Sequence, residues 1–128
     1  MGSYLQRFTT MRGHQVKLFN FMKEEKVKIV VFVPESHSDI VRKAVGDVGA
    51  GQIGNYTFCS FSSKGFGRFI PQKGANPAIG SIGISEMVNE ERIEFVCDKS
   101  KLKDVIGAMK KVHPYEEVAF DVYPLLDM

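Results

Sequence analysis

The densest run of chemically capable side chains is His113-Pro114-Tyr115-Glu116-Glu117. An imidazole beside two carboxylates can coordinate a divalent cation or hold a polar ligand, and the imidazole titrates near neutral pH. The same residues also have a purely structural reading. Proline stops a helix, a histidine at a helix C-terminus suits the dipole, and two exposed carboxylates then open a strand. His113 with Glu116 and Glu117 is too sparse for a closed metal site within one chain. Copies meeting in a symmetric oligomer would be needed to complete it, so no cofactor is required and a divalent metal is the one left open. His14 and His37 stand alone and receive no role.

A second cluster, Lys64-Gly65-Phe66-Gly67-Arg68-Phe69-Ile70-Pro71, opens a Gly-rich excursion running from about Ser63 to Glu90. Long loops inside compact domains usually carry function or local structure, and Gly-Phe-Gly-Arg-Phe-Ile can form an additional short strand. Arg68 would offer a fixed cationic fork to an anionic ligand or a neighbour's carboxylate. We expect His113, Tyr115 and Glu116 to face one ligand together with Gly65, Gly67 and Arg68. The alternative is that these groups only stitch subunits together.

Gly49-Ala50-Gly51-Gln52-Ile53-Gly54 spells the dinucleotide fingerprint G-x-G-x-x-G. That chemistry needs a strand before the glycines and a helix after them, so that pyrophosphate meets a helix N-terminus. Here a helix precedes and a strand follows, which points to a C-cap and a tight turn. Cys59 and Cys97 lack CxxC spacing and read as free, buried thiols in a reducing cytosol.

The elements that must position these groups come as a repeat. Ile29-Val30-Val31-Phe32-Val33 is a buried strand stopped by Pro34, and Arg92 to Cys97 is its counterpart. Ser36 and Ser100 are candidate N-caps. Ile40, Val41, Ala44, Val45 and Val48 form one helical stripe, and Leu102, Val105, Ile106, Met109 and Val112 the other. Ile29 and Ile93, Ser36 and Ser100, and Val41 and Val105 all share one separation. Each helix, near 37–48 and 100–112, leads to another strand, Tyr56 to Ser62 and Val118 to Tyr123. Two split β-α-β units give an α+β, ferredoxin-like fold, an antiparallel four-stranded sheet with both helices on one face. The first strand is apolar on both sides, which suggests that the helix-free face meets another subunit.

Size and composition agree. The chain has 128 residues, is 44% apolar and carries a net charge of +2, which describes one ordinary globular domain without a broad electrostatic footprint for nucleic acid. No apolar run reaches the roughly 18–20 residues that span a bilayer. Residues 1–26 differ from the rest, with Arg7, Arg12 and Lys17 unopposed until Glu24. They read as a mobile or artificially added N-terminal extension, or an upstream extension with Met22 as a natural start, ahead of a domain spanning 27–128.

Several segments together resemble a known family: Val33-Pro34, Gly49 to Tyr56, Cys59-Ser60-Phe61, Gly65 to Phe69, Gly74-Ala75-Asn76-Pro77, Ile79-Gly80 and His113 to Glu117. Over roughly residues 27–125 the chain is similar to the inserted domain of the YqfO-like proteins. These are the NGG-one-interacting-factor-three superfamily, also called dinuclear-metal-centre hexameric proteins. The resemblance implies the trimeric PII/CutA-like form of the ferredoxin-like fold, and CutA proteins carry a similar His-Pro-Tyr-Glu segment. It also implies that the two-metal domain of full-length members flanks this insert, and no flanking halves are present in 128 residues. The expectation is therefore a cytoplasmic, homotrimeric module, regulatory, ligand-sensing or partner-binding, and not an enzyme. The alternative is a divalent-metal-binding CutA-like protein or metal-dependent enzyme, with His113, Glu116 and Glu117 at subunit boundaries.

Overall fold

The structure is a computed structural model describing residues 25–126, so the reading of the N-terminal extension falls almost wholly outside the described residues. Strand β1 (Lys26–Pro34) runs through a 3-10 turn (Glu35–His37) into helix α1 (Ser38–Asp47). Strands β2 (Phe61–Phe69) and β3 (Glu86–Asp98) follow, then a second 3-10 turn (Lys99–Lys101), helix α2 (Leu102–Val112) and strand β4 (Phe120–Leu125). The strand order is β2-β3-β1-β4 and every neighbouring pair is antiparallel. This is the doubled split β-α-β arrangement that the repeat predicts.

Alternation along the two central strands builds the core. Val27, Ile29, Val31 and Val33 of β1 lie beside Ile93, Phe95 and Cys97 of β3, and all are buried against Val41, Val45, Val105 and Met109 of the helices. Each helix carries only a narrow apolar stripe, so Ile40 and Val48 remain exposed despite their helical spacing. Arg42 of α1 ties the helix layer to the sheet through Glu91 at 2.8 Å and Ser62 at 3.1 Å. The guanidinium bond holds the Glu91 carboxyl below its usual range, against the opposing effect of burial.

Four expectations need correction. The second strand lies at Phe61–Phe69, not Tyr56 to Ser62, because β2 is an edge strand exposed on both faces and so carries no apolar pattern. The apolar signal at Phe58 and Cys59 belongs to the preceding loop, closed by the Cys59 N–H donating to Gly51 O at 2.8 Å. Cys59 is accordingly half-buried, while Cys97 is buried. The third strand starts at Glu86, so the long excursion is a β2–β3 hairpin with a connecting loop at 70–85. Ser36 and Ser100 cap nothing, since each sits inside a 3-10 turn; Ser36 Oγ lies 2.8 Å from His37 Nδ1 instead.

The Gly49 expectation holds. With φ at +100°, Gly49 closes α1 by donating to Gly46 O, while Ala50 donates to Val45 O, each at 3.0 Å. That 5→2 and 6→1 pair is a Schellman motif, which places a helix C-terminus at the fingerprint. The helix-free face is also less greasy than expected. Val30 is fully buried and Phe32 half-buried along its centre, but Lys28, Arg92 and Glu94 cover the flank in a small ion-pair network.

Candidate functional site

The β2–β3 hairpin runs beyond the end of β1, whose last residue Pro34 pairs with Glu90 while β3 continues back to Glu86. Side chains along β2 alternate. Ser62 reaches Arg42 on the helix side, so Lys64, Phe66 and Arg68 share that side and Gly65, Gly67 and Phe69 face the open side. The two glycines leave a trough over the sheet. The loop after β2 and the segment after α2 roof it, enclosing a cleft of about 760 Å³. Phe32, Phe69, Glu90, Tyr115, Pro71 and Pro77 supply much of its wall.

Glu90 lies at the centre, 8% exposed. Its carboxylate rests where a Cβ on Gly67 would be, and Tyr115 Oη donates to its Oε2 at 2.9 Å. Burial and the neighbouring carboxylate push the Tyr115 phenol well above its usual range, so it stays a donor. Phe69 meets the Tyr115 ring edge-on at 6.0 Å.

His113, 7% exposed, fixes this arrangement from behind. Its Nε2–H donates to Phe32 O at 2.8 Å, and Nδ1 accepts the Tyr115 N–H at 3.1 Å. Those two bonds define the neutral tautomer. Burial lowers the imidazole pKa, only partly opposed by the Phe32 carbonyl. Glu116 Oε1 accepts the Asn76 N–H at 2.8 Å and so ties the post-helix segment to the loop that roofs the cleft.

Most of the sequence-derived residues therefore meet. Tyr115, Glu116 and Glu117 line the cleft together with Gly65, Gly67 and Arg68. The Arg68 backbone borders it, but its side chain lies on the other face of β2, with the guanidinium 6.0 Å from the centre of the Phe66 ring. His113 does not line it. Both its ring nitrogens bond the protein, so it could ligate a metal only by giving up one of those bonds. Among the described residues no group of three His, Cys, Asp or Glu side chains is placed to hold a metal ion. Sequence reasoning missed Glu90, which looks like one more charged residue in Asn89-Glu90-Glu91-Arg92. Its one signal is the pairing of β3 with the glycines of β2, which needs the register.

The sheet order and the one-sided helices define the fold class shared by CutA and PII proteins. CutA from Synechococcus elongatus PCC7942 superposes with a TM-score of 0.60 at 13% identity, over 82% of this chain and 80% of that one. GlnK from B. subtilis gives 0.54 at 15% identity, over 79% and 85%. Sequence then narrows the class. A Bacillus cereus protein related to NIF3 gives a TM-score of 0.70 at 55% identity, covering 80% of this chain and 26% of that one. Proteins named GTP cyclohydrolase 1 type 2 homolog are 52% identical over 102 residues in Halalkalibacterium halodurans and 53% identical over 98 in Bacillus subtilis. The chain carries the PII/CutA-like domain of this NIF3-related family. It spans about a quarter of the length of those relatives, 27% and 26%. No protein-family model matches the chain, and no described helix is long and apolar enough to cross a membrane.

Proposed function

We propose that this domain is a non-catalytic, self-associating module that senses a ligand or partner through the cleft between the β2–β3 hairpin and the His113–Glu117 segment. The observation that carries this reading is how the polar groups are spent. His113 is used to orient Tyr115, Tyr115 to hold Glu90, and Glu116 to hold the roof at Asn76. The result is a preformed, mostly apolar pocket with a few convergent polar atoms, the usual form of a small-molecule site. Glu117 at the rim is the charged group placed to meet what approaches.

The assembly in this reading is a cytoplasmic homotrimer. The exposed outer edge of β2, nine residues long and flanked by exposed Phe61 and Phe66, supports self-association. The choice of three copies rests on the likeness to PII and CutA. The activity named for the longer relatives belongs, in this reading, to the part of them outside the matched quarter. Light scattering on a sizing column tests the assembly: a trimer is expected at micromolar concentration. A dimer would reject the threefold arrangement, and a monomer would reject self-association. Elemental analysis of untagged protein, expected to find no stoichiometric metal, tests the metal-dependent alternative.

A further inference from the structure

The cleft holds a buried carboxylate, Glu90, that forms no ion pair among the described residues. Glu90 Oε2 takes the Tyr115 hydroxyl, and Oε1 has no donor among the described residues. The cations that border the cleft, Arg92, Lys64 and Arg68, make no ion pair with Glu90. Arg92 turns to Glu94 at 3.4 Å and stacks over Phe32. Lys64 and Arg68 project from the opposite face of β2, with Lys64 4.0 Å from Glu35. With only 8% of the residue exposed, the free oxygen is placed to take an opposite charge in hydrogen-bond contact. Around Glu90 stand Phe32, Phe69 and Tyr115, and rings of this kind favour a cation over their faces.

Building on the ligand-sensing reading, we propose that the cleft takes an organic cation, a primary ammonium or guanidinium group on an apolar body. Its charged head bonds Glu90 Oε1 and its body lies between Phe32, Phe69 and the prolines of the roof. Gly67 is part of the recognition, because any side chain there would displace the carboxylate. Tyr115 is a positioning residue, since its hydroxyl occupies the other oxygen and aims the free one into the cleft.

The test uses the full chain and three probes of similar shape: phenethylammonium, 3-phenylpropionate and 2-phenylethanol. Amide chemical shifts are followed at Gly65, Gly67, Phe69 and Glu90, with Glu90→Gln as the variant because it keeps the shape and the Tyr115 partner. Saturable shifts with phenethylammonium, at least about tenfold weaker in Glu90→Gln, are expected for loss of a charge-assisted hydrogen bond. Equal binding of phenethylammonium by wild type and Glu90→Gln would overturn the proposal. Preferential binding of the propionate or the alcohol in the cleft would overturn the cationic assignment and leave the ligand-sensing cleft standing. Unmoved cleft amides with all three probes would overturn both.

Discussion

Replacing Gly67 by alanine should damage the protein far more than the same change two residues earlier. Both glycines lie in β2 on the open face of the sheet, and neither has a positive φ, so any strain would come from space alone. A Cβ at Gly65 meets nothing within 4 Å. A Cβ at Gly67 overlaps the Glu90 carboxylate, well inside the roughly 3.5 Å separation at which non-bonded heavy atoms are comfortable. Glu90 can clear that overlap only by swinging away, which breaks the 2.9 Å bond from Tyr115 and leaves the half-buried phenol without its acceptor. Loss of a hydrogen bond to a charged group costs about 1.5–3 kcal/mol. Replacing glycine by alanine in a compatible conformation returns about 0.4–1 kcal/mol through the unfolded chain. The net for Gly67→Ala is therefore about 1–2 kcal/mol destabilising, while Gly65→Ala is neutral to slightly stabilising. Thermal unfolding at fixed protein concentration reads both, at about 4–8 °C per kcal/mol for a domain near this size. The double-mutant cycle with Glu90→Ala isolates the cause. With the carboxylate gone, Gly67→Ala should behave like Gly65→Ala. Equal melting temperatures for the two single variants, or an undiminished Gly67 effect in the Glu90→Ala background, would refute the reasoning.

Further expected outcomes concern pH and the turns. Burial lowers the His113 pKa, so near pH 6.5 the unfolded chain binds the proton and the native chain does not; stability should fall as pH drops from 7.5 to 5.5. His113→Gln should flatten that slope in urea titrations, and an unchanged slope would reject the buried neutral imidazole. Glu91 has the opposite chemistry and the same sign. Its depressed pKa contributes stability above the ordinary carboxylate range and loses it as pH falls through the native value. Glu91→Gln should cost about 1 kcal/mol at pH 7, discounted for the partial exposure of Arg42, and remove the corresponding part of the acid limb. In the loop after α1, Gly51→Ala should cost more than Gly54→Ala, each read from its urea midpoint. Both have positive φ, which costs about 1–2 kcal/mol in a residue with a Cβ, but only at Gly51 would that Cβ strike the Cys59 backbone.

The legibility of this fold in its sequence follows burial. β1, β3 and the helices face a common core, so their apolar spacing reports them, and the two copies of the unit keep one offset through strand, 3-10 turn and helix. β2 is an edge strand, exposed along most of its length and held chiefly by backbone pairing to β3, so its sequence Phe61-Ser62-Ser63-Lys64-Gly65-Phe66-Gly67-Arg68-Phe69 carries no period to read. The same cause hid Glu90. Its environment is made by a cross-strand glycine and by a tyrosine 25 positions away, neither of which local pattern can connect. Tyr115, Glu116 and the Gly65–Arg68 stretch were legible because their residue types are unusual wherever they fall. The role of His113 was not, because whether an imidazole faces a ligand or the backbone depends on the Phe32 carbonyl lying 2.8 Å away.

The most direct test of the ligand-sensing cleft is a high-resolution crystal structure of the full chain grown with phenethylammonium. The account predicts density in the cleft with the ammonium nitrogen about 3 Å from Glu90 Oε1, the ring beside Phe32 and Phe69, and Tyr115 still donating to Oε2. A ligand bound elsewhere with the cleft empty, or a side chain of the protein itself occupying the Glu90 Oε1 position, would contradict it.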